Sequence, residues 1–202
     1  MAEQRVIGGN AVRGRARIWV PLVAVGVLLM VAAVEVLANR SLPAREALEP
    51  GTVVAFGPER AAEVELDEAW EVDRAQTKLD LRVVLARDGT TVVLDAVQFP
   101  DPDGTDPQRM WEGVSRLLET AEYSGSMLEL GPPAAFATPN IEDGLRGDLR
   151  LDDQTGALYV LPSADHGHAV NVRVLSTADA SAEDRTAAAA LVDSIAFTGE
   201  AA

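Results

Sequence analysis

Cysteine is absent from all 202 residues, which excludes disulfides, thiolate metal sites, iron–sulfur clusters, cysteine nucleophiles and lipidation on cysteine. Lysine is almost absent, and a serine–lysine dyad would rest wholly on Lys78. Histidine occurs only as His166 and His168, no G-x-S-x-G stretch is present, and no serine can be assigned an acidic and a histidine partner. Positive charge is scarce, with 17 Lys and Arg against 32 Asp and Glu and a formal net charge of −15. A surface of that sign is a poor partner for nucleic acid, whose binding rests on Lys and Arg displacing counterions, and anionic lipid headgroups would repel it. Nothing here reads as an enzyme or calls for a cofactor.

The charge is unevenly placed. Residues 39–202 hold 13 basic and 30 acidic side chains, whereas the first 17 residues carry Arg5, Arg13, Arg15 and Arg17 against Glu3 alone. Directly after those arginines comes the one long apolar run, uncharged from Ile18 to Val34 and continuing past Glu35 to Ala38. Twenty residues of helix span ~30 Å, the thickness of a bilayer's hydrocarbon core. Pro21 falls in the first turn, where its missing N–H costs little, and Trp19 near the interface. The run at 18–38 is therefore read as a transmembrane signal-anchor and the membrane as a partner. The positive-inside tendency puts residues 1–17 in the cytoplasm and the remainder outside. A cleaved signal peptide ending Val36-Leu37-Ala38 is the competing reading, although its apolar core exceeds the usual ~7–15 residues. Both leave the bulk of the chain extracytoplasmic, where an envelope protein is the partner to expect.

Residues 39–50 carry two prolines and no sustained period and read as a linker to a domain over 51–199. Val64, Leu66, Trp70 and Val72 alternate with acids, as in a strand with one solvated face. Leu79–Ala86 and Thr91–Phe99 are β-rich runs around Asp88-Gly89, a strong hairpin signal. Asp106-Pro107 starts a helix on which Met110, Trp111, Val114, Leu117, Leu118 and Ala121 recur on one face up to Gly125. Met127–Pro139, with three prolines, is loop with at most one short strand. Leu145–Leu151, Ala157–Leu161 and Ala169–Thr177 read as a meander, and Ser181 opens a closing helix to about Ile195, with Ala196-Phe197-Thr198 as a short edge strand. The fold class is α+β: a largely antiparallel sheet packed with two helices. Trp111, Val114 and Leu118 are expected to meet a face to which Val64, Leu66 and Trp70 contribute.

The tryptophan-bearing first strand EVELDEAWEV, a hairpin, a helix, a three-strand meander and a final helix ending LVDSIAF resemble the PsbP-like sandwich fold of small exported bacterial proteins. The resemblance covers about 52–198 and is one of pattern. It departs at Glu68-Ala69-Trp70, where a Pro-Gly-Trp type turn is expected, and there is no lipobox cysteine. It implies a non-enzymatic accessory or binding module and transfers no functional residues.

Two stretches suggest a metal. Asp101, Asp103 and Asp106 sit in an acidic loop with Glu112 further on. An EF-hand loop wants its third acid at position 5 and glycine at 6, which are Thr105 and Asp106 here, so a calcium site would be of another kind. His166 and His168, with Asp165, would suit a divalent metal if they pointed the same way, but Gly167 marks them as a hairpin tip. The bland reading, a polar strand-to-helix loop and an exposed turn, accounts for the same residues. The function expected is an accessory or interaction module of the cell envelope; the alternative is a divalent-metal-dependent binding protein or enzyme using one of these stretches. Trp70, Trp111 and Phe99 read as core.

Overall fold

The structure, a computed structural model, describes residues 44–100, 105–122 and 127–198. The expected membrane segment at 18–38 and the residues before it lie outside that range, as does the start of the expected linker. Among the described residues no helix is long and apolar enough to cross a membrane.

Among the described residues, twelve strands and two α-helices follow one another as β1 (Arg45–Leu48), β2 (Thr52–Phe56), β3 (Ala62–Leu66), β4 (Trp70–Asp73), β5 (Arg82–Arg87), β6 (Thr90–Gln98), α1 (Pro107–Glu122), β7 (Leu128–Leu130), β8 (Ala134–Phe136), β9 (Gly144–Leu151), β10 (Gln154–Pro162), β11 (His168–Ser176), α2 (Ala182–Asp193) and β12 (Ala196–Phe197). Nine strands make one antiparallel sheet in the order β1-β4-β5-β6-β11-β10-β9-β7, with β8 also on β9; β12, β3 and β2 make a second, small sheet. The α+β reading of a largely antiparallel sheet with two helices holds at this level. Arg45–Leu48, read from the sequence as linker, pair with β4 as an edge strand.

Local chemistry sets the turns and helix starts. Asp88 and Gly89 both have positive φ, 35° and 86°, the backbone of a type I′ turn, and β5 and β6 close on them with Arg87 opposite Thr90. Asp106 caps α1 as expected, its Oδ1 accepting the Arg109 N–H at 2.8 Å. Ser181 and Asp184 form a reciprocal capping box at the start of α2.

The sheet has a core on each face. Alternation along β10 sends Leu161 and Tyr159 to one side and Leu158 and Val160 to the other. On the first side, β5, β6 and β11 present Val83, Leu85, Val92, Leu94, Val170 and Val172 to α2 and the small sheet. On the second, α1 lays Met110, Trp111 and Leu118 on β7, β9 and β10. Burying each such side chain stabilises by ~1.5–3 kcal/mol.

Further expectations change. The single strand EVELDEAWEV is two strands in different sheets, β3 and β4, separated by exposed Asp67, Glu68 and Ala69. Both halves keep the same parity and face the same core, so an alternation count sees no break. Val64, Leu66 and Trp70 therefore belong to the core under α2, not to the one under α1. Leu117, expected on the apolar face of α1, is 73% exposed. Finally, the proline-rich stretch holds two three-residue strands, β7 and β8, each too short to show a period and each ordered by pairing with β9.

Candidate functional site: an arginine-lined groove

Asp101 and Asp103 lie outside the described residues, and Asp106 serves as the exposed cap of α1. His166 does stand at a hairpin tip, with φ 55°, and its Nδ1 lies 2.9 Å from the Thr105 carbonyl, so this nitrogen carries the proton. The end of the acidic loop and the histidine hairpin thus share one end of the domain. Asp165 is committed to the turn: it accepts the Ser163 hydroxyl at 2.7 Å and the Gly167 N–H at 2.8 Å, which hold its carboxyl below the usual range. His168, half-buried, opens β11 with its N–H on the Ser163 hydroxyl. A cavity of about 500 Å³ beside His166 is lined also by Glu142 and Asp143. Among the described residues no three His, Asp or Glu side chains are grouped to hold a metal ion.

A larger concavity lies elsewhere. Strands β9 and β10 continue beyond the part of the sheet that α2 covers, and their α2-side residues line an open groove of about 650 Å³. Alternation explains its chemistry. In β9, Leu145, Leu149 and Leu151 turn to the α1 core, so Arg146, Asp148 and Arg150 turn to the groove. Ala157, Tyr159 and Val174 provide an apolar floor, Thr155 and Ser176 face one another across β10 and β11, and Arg185 projects from α2.

Two of the three arginines are already engaged with acids. Arg146 reaches Asp148 at 3.1 Å, with its guanidinium carbon 5.9 Å from the centre of the Tyr159 ring. Phe136 of β8 supports that ring edge-on, with 4.9 Å between centroids. Arg150 pairs loosely with Glu129 at 3.7 Å. Arg185 differs: one guanidinium nitrogen donates to the Ala180 carbonyl at 2.7 Å, and it makes no ion pair among the described residues. The Ser176 hydroxyl is spent on Thr90 at 2.9 Å.

Comparison with protein-family models, with curated proteins and with solved structures returns no match. None of the groove residues was singled out by sequence. The alternation of Arg146, Asp148 and Arg150 with leucines signals only a solvated strand face, and no local signal tells where α2 stops covering it.

Proposed function

We propose that the chain is a single-pass, membrane-anchored module of the cell envelope whose extracytoplasmic domain works by binding. The observation that carries this reading is the groove. Its lining pairs arginine side chains with an aromatic and aliphatic floor, a surface suited to holding a partner's charged and apolar parts together. Its one buried hydroxyl, that of Ser176, is already hydrogen-bonded. The apolar run at 18–38, preceded by four arginines, supports the anchor and its orientation. The pattern resemblance to PsbP-like exported modules points the same way.

A chain without cysteine makes the topology directly testable. With Asp80→Cys, at a side chain 88% exposed, a membrane-impermeant maleimide should label intact spheroplasts, whereas Gly9→Cys should label only after lysis. The reverse pattern would overturn the orientation.

A second reading, a divalent-metal-dependent binder or enzyme, draws on the contact that brings His166 to Thr105 at the end of the acidic loop. Its Nδ1–H leaves Nε2 as the free lone pair, the arrangement usual for a metal-bound imidazole. Calorimetry with calcium and zinc tests it: millimolar or tighter binding, abolished by Asp101→Asn with Asp103→Asn or by His166→Gln, would favour the metal over the groove.

A further inference from the structure

Groove charge, groove floor and whole-domain charge together specify a ligand class. Arg146, Arg150 and Arg185 against Glu129 and Asp148 leave the groove with one excess positive charge. That local sign runs against a domain in which residues 39–202 hold 30 acids and 13 bases. A polyanion would gain at the groove and be repelled by everything around it, whereas a single negative charge is matched there and feels the surrounding acids only through solvent screening. The excess charge has an address. Arg146 and Arg150 spend theirs on Asp148 and Glu129, while Arg185 is held in place by a neutral carbonyl and keeps its own. A guanidinium anchored through one nitrogen still offers planar N–H donors, which match the two oxygens of a carboxylate. The floor of the same groove is apolar: Ala157, Val174 and the Tyr159 ring, which Phe136 meets edge-on and Arg146 overlies. Thr155 adds a hydroxyl within the same lining.

We propose that the groove binds a small organic monoanion, a carboxylate carried on an apolar or aromatic body, with Arg185 receiving the carboxylate and Tyr159 the body. This deepens the binding reading given above and depends on it. The volume, about 650 Å³, accommodates a molecule of the size of an acylated amino acid. Affinity is modest because the groove is open, and it weakens with salt because the carboxylate contact stays partly hydrated.

The test uses the full chain in a non-ionic detergent, with N-acetylphenylalanine as the probe and its neutral amide as the matched control, followed by ligand-observed NMR titration. Saturable binding of the carboxylate is expected, the amide binding at least about tenfold more weakly. Arg185→Gln should weaken carboxylate binding about tenfold as well. Arg185 is exposed, so the variant keeps its fold, which an unchanged melting temperature would verify. Arg116→Gln, which removes the same charge from an exposed position of α1 on the opposite side of the sheet, should leave binding unchanged. No saturable binding of the carboxylate, equal binding of the amide, or equal losses in the two arginine variants would each overturn the proposal. Maleimide labelling of the two cysteine variants reads topology independently, so a failed ligand and a failed membrane reading remain distinguishable.

Discussion

Arg87 Nε lies 3.0 Å from Asp184 Oδ1, joining the end of β5 to the first turn of α2 across 97 residues of chain. The guanidinium also meets Glu68 at 3.3 Å and Glu183 at 3.1 Å, and its own side chain is only 14% exposed. Burial alone would disfavour this charge; the hydrogen bonds it donates to Glu68 and Asp184 outweigh that and raise the guanidinium's already high pKa. The contact seats α2 on the sheet, next to the strands that frame the groove.

That contact predicts a measurable coupling. Arg87→Ala and Asp184→Asn should each lower the urea midpoint, and the double variant should lose less than the two added together. Strict additivity would show that the pair does not help to dock α2.

Acid should loosen the domain from this same site. Asp184 titrates below its ordinary value of about 4, chiefly because the Ser181 hydroxyl donates to it, with the Ser181 N–H and Arg87 adding to the effect and burial opposing it. Asp165 and Asp73 are lowered too, first by Ser163 and by Gln76 respectively. A lowered folded-state pKa means stability that is present above about pH 4 and lost as pH falls through the folded values. Melting temperature should therefore hold near neutral pH and fall steadily below about pH 4, with a shallower acid fall in Asp184→Asn. Identical acid slopes in the two proteins would contradict the assignment.

Two neighbouring leucines test the core under α1. Leu118 is 9% exposed and packed in that core, while Leu117 is 73% exposed. Leu118→Ala should cost ~2–5 kcal/mol in urea unfolding, and Leu117→Ala under ~0.5 kcal/mol. Equal small effects would mean that α1 covers no core.

Gly147 on β9 makes room for Trp111. A Cβ there would stand 2.6 Å from the indole of Trp111, a side chain only 4% exposed and unable to retreat. Gly147→Ala should destabilise by ~1–3 kcal/mol through overpacking. In Trp111→Leu, which empties that space, the same substitution should cost less. A Gly147→Ala protein as stable as the parent would place Trp111 elsewhere.

Several elements were legible from residues alone because their causes are local. Asp88-Gly89 demands a tight turn whatever surrounds it, Asp106 and Ser181 supply the oxygens that helix N-termini lack, and Trp111 and Leu118 fall at helical spacing. The break between Leu66 and Trp70 was not legible, because both flanking strands turn the same parity towards one core and alternation passes straight through the corner. Strands β7 and β8 are ordered by pairing with β9, and three residues apiece are too few to show an alternation in the sequence. The groove depends most on tertiary structure. That Arg146 and Arg150 are solvated is a matter of alternation, but that they share a concavity with Arg185 follows from where α2 stops on the sheet. Charge and hydropathy along the chain decide which faces can meet water. Only the packing of helices on the sheet decides which of those faces become walls of the same site, because that placement minimises exposed apolar surface over the whole domain and no local stretch encodes it.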